Sequence, residues 1–190
     1  QSLLDAVEAL DPSIDVVAQL DADVIPHRTW LRELVAPLAD EGVGLACGNR
    51  WYVPGDTVGS TFRYLWNASA VVMMQWRNIA WGGSLAISAA VLRRLDLREL
   101  WSRTLCEDTP LQYELRRAGL KMRFVPSLMM LNRESCTLSG IAPWIRRQLL
   151  IVRLHHPAWL LVMAHAAGTT GALSLALATF FVGLVLGAPA

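Results

Sequence analysis

Residues 16–26 read VVAQLDADVIP. The first five are β-branched or apolar, without alternation, and short enough for a strand buried in a parallel sheet. Two aspartates one residue apart follow, and Pro26 restarts the chain. On an extended backbone, residues two apart project to one side. Asp21 and Asp23 are therefore expected to share a crevice beyond the strand's carboxyl end, where open α/β sheets bind ligands. Two like charges so placed repel unless a cation lies between them. Mg²⁺ or Mn²⁺ suits that place: such a hard ion takes one or two protein carboxylates and fills its shell with phosphate oxygens and water. The same triplet also occurs as a plain polar turn, so its meaning depends on what surrounds it.

Upstream, QSLLDAVEAL reads as an amphipathic helix with Leu3, Val7 and Leu10 on one face, and DPSID as a turn. Downstream, Trp30, Leu31, Leu34, Val35 and Leu38 form a helical face, and EGVG breaks it. LACGNRWYVP reads as a second strand, ending at Pro54-Gly55. Residues 58–79 are rich in Met and Trp, and a short helix spans about Ala89 to Leu95. LQYELRRAG is a helix with Gly119 as its stop, and LKMRFVP is a strand. Helices alternating with strands predict an α/β fold with a mostly parallel sheet.

Three further stretches can carry chemistry. Trp81-Gly82-Gly83-Ser84 pairs glycines that let a ligand approach the backbone, though the same pair makes an ordinary tight turn. In Glu107-Asp108-Thr109-Pro110 the proline fits a first helical turn, and Asp108 or Thr109 can cap the helix. Asp108 can equally act as a general base on a sugar or lipid hydroxyl, with Glu107 orienting it or merely solvated. The basic helix around Arg146, Arg147, Gln148 and Arg153 either snorkels beside lipid headgroups or gives Arg147 or Gln148 a diphosphate contact.

Among 190 residues, 17 are basic and 16 acidic, a balance that leaves no electrostatic footprint for nucleic acid. Cys47, Cys106 and Cys136 match no zinc or redox spacing, which suits reduced thiols and a cytosolic setting. From Ala158 to Ala190, 33 residues contain no Asp, Glu, Lys or Arg. A bilayer span needs about 20 apolar residues. The arginines before the tail place the preceding domain on the cytosolic side of the cell's inner membrane, by the positive-inside rule. Three segments follow: a domain over 1–139, a basic interfacial helix over 140–157 and a transmembrane segment over 158–190. His165 is the polar exception in the span and reads as a packing histidine.

In order, LDADVIP, WGGSLAIS, CEDTPLQYELRRAGLKMRFVP and WIRRQLLIVRLHHP before an apolar span resemble the membrane-bound family-2 glycosyltransferases. The nearest likeness is to their ceramide-glucosyltransferase-like branch. The resemblance implies part of a GT-A catalytic domain and inverting transfer from a nucleotide-sugar, UDP-linked, to a lipid or polysaccharide. It implies that Asp21 lies near nucleotide and metal, that Asp23 coordinates Mg²⁺ or Mn²⁺, and that Asp108 deprotonates the acceptor. Trp81, Gly82, Gly83, Ser84 and Glu107 would border the sugar and acceptor. Arg147 and Gln148 stand where the family holds the diphosphate, although RRQLL lacks that motif's tryptophan. Family members also begin with a nucleotide-binding half, so a fragment is expected. The alternative is a membrane-tethered binding module that lost its donor half. A phosphatase reading of the triplet is disfavoured by Ile25, where those enzymes carry threonine.

Overall fold

The computed structural model describes residues 2–187. Its elements, in chain order, are α1 (Ser2–Glu8), β1 (Val16–Leu20), α2 (Trp30–Val35) with a 3₁₀ turn (Ala36–Ala39), β2 (Val43–Tyr52), α3 (Val58–Arg77) and β3 (Ser84–Ser88). Then come α4 (Ala89–Arg94), α5 (Leu97–Ser102), α6 (Leu111–Arg117), β4 (Lys121–Asn132), α7 (Leu138–His155) and α8 (Trp159–Val185). The last three residues of the predicted tail, 188–190, lie outside the described residues.

The four strands form one sheet in the order β1-β3-β2-β4. β2 and β4 are parallel, while β3 runs antiparallel to both β1 and β2. The sheet is therefore mixed, and the expectation of a mostly parallel one is corrected. The reversed strand is SLAIS, only five residues long and buried at its first four positions, so both its faces are covered. Five such residues between a glycine pair and a helix carry almost no strand signal.

Alternation appears instead in what each residue meets. Leu45, Cys47, Leu85 and Ile87 face a core closed by α4, α5 and α6 and packed by Leu4, Val7 and Leu10. In α1 it is thus Leu4, not Leu3, that shares the inward face with Val7. Between them, Ala46 and Ala86 point to the opposite side, where Leu34 of α2 packs on them with Leu128. Leu34 is fully buried there, and Leu31 is half exposed.

β4 continues past the proline that was expected to end it. Pro126 cannot donate to a ladder, and the register jumps from Cys47↔Phe124 to Asn49↔Met129 around it. The bulge brings the Leu128 backbone onto Gly48, where a Cβ would overlap the Leu128 carbonyl. Gly119, at φ +72, ends α6 as predicted.

The second layer is a helical bundle. Thr57 caps α3 by accepting from the Ser60 amide (3.0 Å), and its hydroxyl donates to the Cys136 carbonyl (2.6 Å), tying the start of α3 to the start of α7. Met73, Ile79 and Val162 join α3 to α8, with Leu149 and Val152 of α7 against them. A polar seam adds register: Trp66 Nε1 donates to Thr170 (3.1 Å), and Ser69 is bonded to both His165 and Thr169 at 2.8 Å. The packing role expected for His165 is thereby given a partner. α8, with 27 residues, is long and apolar enough to cross a membrane, the one such helix among the described residues.

Candidate active site

The sheet's directions decide where a site can form. β1, β2 and β4 all point their carboxyl ends to one edge, and reversed β3 begins there. A parallel β3 would have carried Trp81-Gly82-Gly83 to the far edge. Instead, the loop before β3 meets Asp21 after β1, Arg50 and Tyr52 at the end of β2, and the segment before α6. Together with α7 they enclose a cleft of about 810 Å³.

Asp21 stands one residue past the last rung of the β1–β3 ladder, Leu20↔Ser84, its N–H donating to the Gly83 carbonyl at 3.2 Å. The backbone does not stay extended beyond it. Val24 N–H donates to the Asp21 carbonyl at 3.1 Å, closing a turn over the triplet. Asp21 lines the cleft; Asp23 sits on the exposed turn and is not among its lining residues. The two carboxylates remain neighbours, because strand geometry is replaced by a tight turn and not by separation. Burial, then the charge of Asp23, and further that of Asp108, hold the Asp21 carboxyl above its usual range, with Arg50 opposing.

Asp108 is the most firmly held of the acids. Its Oδ2 accepts from the Gly82 amide at 2.7 Å, and its Oδ1 accepts from the Thr109 amide and hydroxyl at 2.5 and 3.1 Å. An ionised carboxylate has about four acceptor sites. Three are filled, and the remaining one is on Oδ2. Helix α6 starts only at Leu111, with Pro110 in the capping position and no side-chain cap, so Asp108 serves the Gly82 loop and Thr109 rather than the helix. Glu107 lies beside it, its carboxyl raised by burial first and then by the charges of Asp108 and Asp21.

The glycine pair is a packing requirement. A Cβ on Gly82 would overlap the Glu107 carboxylate and come within 3.3 Å of Asp108 Oδ2. One on Gly83 would overlap both the Trp81 indole and the Asp21 carboxylate. The absence of two side chains is what lets three acids crowd around one loop.

Of the residues singled out in the sequence, Asp21, Trp81, Gly83, Glu107, Asp108, Arg147 and Gln148 line the cleft. Gly82 is behind it, with its amide on Asp108. Ser84 is fully buried, and its hydroxyl accepts from Trp30 Nε1 at 2.9 Å, so it braces α2 against β3 and does not face the cleft.

Several lining residues escaped sequence reasoning. Tyr52 carries two guanidiniums over its ring, Arg63 at 4.1 Å and Arg50 at 5.0 Å from the ring centroid. Trp144 of α7 donates to the Tyr52 hydroxyl at 3.2 Å and packs edge-on against it. Arg63, only 4% exposed, is committed to Glu134, through its carboxylate at 3.4 Å and its backbone carbonyl. The available signal was a charged residue inside each buried stretch, Arg50 within LACGNRWY and Arg63 within the apolar helix.

The thiols near the site are poor nucleophiles. Burial pushes Cys47 up to about 12 and Cys106 up to about 11, the nearby Asp108 charge adding to both. As for a metal, no three His, Cys, Asp or Glu side chains converge as a closed cage among the described residues. Asp21 and Asp23, crowded by Asp108, instead match a hard cation that brings most of its shell on a bound ligand.

No curated protein matches the chain. Two structures of glucosyl-3-phosphoglycerate synthase from Mycobacterium tuberculosis are similar at 18% identity over 81% of this chain. One, in complex with phosphoglyceric acid, has a TM-score of 0.45 with 54% of its chain covered. The other, in complex with Mn²⁺ and uridine-diphosphate-glucose, has a TM-score of 0.46 with 53% covered. The chain thus spans about half the length of these proteins. Residues 11–188 match the sequence model of glycosyl transferase family 21, and the chain belongs to that family.

Proposed function

We propose that the chain is the catalytic and acceptor-binding part of an inverting glycosyltransferase, moving a sugar from a UDP-linked donor to a hydroxyl of a lipid or polysaccharide. The reading extends to the ceramide-glucosyltransferase-like branch and to a fragment, with the nucleotide-binding half lying outside this chain. Residues 1–139 are the catalytic domain, 140–157 an interfacial helix and 158–190 a membrane anchor, with the cleft on the cytosolic side of the inner membrane.

One observation carries the proposal: Asp108 leaves a single acceptor site open on the same cleft that Asp21 enters. A base must come within hydrogen-bond reach of the proton it takes. Held by the Gly82 and Thr109 amides, Asp108 Oδ2 receives the acceptor hydroxyl's proton as its oxygen bonds to the anomeric carbon. The bond from that carbon to the nucleoside diphosphate breaks on the opposite face, giving inversion. Gly83 brings its backbone to the cleft wall, where the sugar lies against Trp81, while Gly82 behind it holds Asp108. Glu107, whose carboxyl is held above its usual range by burial and then by the Asp108 charge, lies beside the base. Asp21 and Asp23 would hold a Mg²⁺ or Mn²⁺ ion, whose positive charge stabilises a departing diphosphate.

The test is a panel of radiolabelled nucleotide-sugars supplied to membranes carrying the complete protein, with Mn²⁺ or Mg²⁺ and with a chelator. Label should enter lipid or polymer from one donor and fall to background when the cation is removed. Transfer unaffected by chelation would remove the cation from the reading, and no transfer from any donor would overturn the enzyme itself.

A further inference from the structure

Arg50 is the cation in the cleft that the mechanism above leaves unused. Among the described residues its Nε is buried without a hydrogen-bond partner, and its guanidinium forms no ion pair. It is nevertheless fixed in place, 5.0 Å from the Tyr52 ring centroid and 5.8 Å from that of Trp81. Stacking on aromatic faces orients a guanidinium while leaving its N–H forks free in the ring plane. Asn49 holds the same backbone from the other side, its side-chain oxygen accepting from the Arg50 amide at 2.7 Å. Arg63, by contrast, gives both terminal nitrogens of its guanidinium to Glu134, and Arg147 is exposed on α7.

The indole that Arg50 stacks on also lies close to Asp21. Both the Trp81 ring and the Asp21 carboxylate crowd the position where Gly83 lacks a Cβ. Trp81 therefore lies beside both the acid of the DAD turn and the Arg50 guanidinium. A ligand bridging the two must offer oxygens to a hard cation at one end and to a planar N–H fork at the other. Phosphate oxygens satisfy both.

We propose that Arg50, and not Arg147 or Gln148 alone, binds the diphosphate of the donor and stabilises it as it leaves. This rests on the glycosyltransferase reading. Arg50 is part-buried and makes no direct ion pair among the described residues, so the donor diphosphate supplies a counter-charge in contact with it. Arg50 also borders a small apolar cavity of about 100 Å³ between α3, α7 and α8, which limits water on its far side and strengthens a charged contact there.

The experiment is calorimetric binding of UDP, inorganic pyrophosphate and uridine to the complete protein, nucleotide-binding half included, in a chelator, comparing wild type with Arg50→Gln and Arg50→Lys. Arg50→Gln should weaken UDP and pyrophosphate by about tenfold or more, with uridine unchanged. Arg50→Lys, which keeps the charge but loses the fork, should recover part of the loss, and it provides a second reading if the glutamine variant folds poorly. In steady state the acceptor KM should not move. Equal UDP affinity in wild type and both variants overturns the assignment, as does a change confined to acceptor KM, which would give Arg50 to the acceptor. If wild type transfers sugar while the variants bind UDP normally, only the Arg50 assignment fails. If wild type neither binds UDP nor transfers sugar, the proposed function fails and Arg50's role with it.

Discussion

Gly82 shows how a single residue sets the chemistry of the cleft. Its amide orients Asp108, and its missing side chain makes room for the Glu107 carboxylate. Because the atom a Cβ would strike is the mobile end of a glutamate, Gly82→Ala should fold with little loss of melting temperature. Glu107 would be pushed off Asp108, and the backbone donor would shift. Misplacing a catalytic group by about 1 Å costs on the order of a hundredfold, so kcat should fall by about that factor with donor affinity kept. A variant with wild-type kcat would mean the acids around this loop are not organised by it. The sequence made the glycine pair and the Glu107-Asp108 pair visible as separate signals. What could not be read was that each explains the other, because 26 residues separate Gly82 from Asp108. Arg50 was hidden differently: its neighbours read as a strand, and pattern reasoning assigns such a residue to a strand without asking what its charge is for.

At the scale of elements, the chain's rhythm was legible wherever a helix had a wide apolar face or a marked end. Trp30, Leu34 and Val35 packed as their spacing required, and Gly119 stopped α6. β3 and the second half of β4 were not legible, since one is five residues long and covered on both faces and the other runs through a proline bulge. The junction of α7 and α8 adds a pH-sensitive element. His156, 4% exposed, accepts from the Ala158 amide through Nδ1 at 3.2 Å, while its Nε2 is buried without a partner among the described residues. Burial first, and the Arg77 charge next, depress its pKa to about 4 from an ordinary 6.5. Between those values the unfolded chain binds the proton and the folded one does not. Stability contributed here is complete above about pH 6.5 and declines as pH falls toward about 4. Melting of detergent-solubilised protein should show this decline, and His156→Gln should flatten it. An unchanged slope in the variant would assign acid sensitivity to other groups.

At the scale of the molecule, the mixed sheet is what makes the cleft possible. The parallel strands present three carboxyl ends to one edge, and the single reversed strand delivers the glycine loop to them. α8 is braced on α3 through Ser69, His165 and Thr169 over its first half, and leaves Phe180, Phe181 and Val185 exposed beyond. That apolar remainder is the feature most legible from composition alone, since no charge interrupts it. The central claim is that Asp108 serves as the base of sugar transfer, separate from donor binding. Its most direct test compares wild type and Asp108→Asn in the complete protein, following radiolabelled sugar transfer and UDP binding side by side. The account predicts transfer reduced by at least about a hundredfold with UDP affinity unchanged; turnover by the asparagine variant equal to wild type would contradict it.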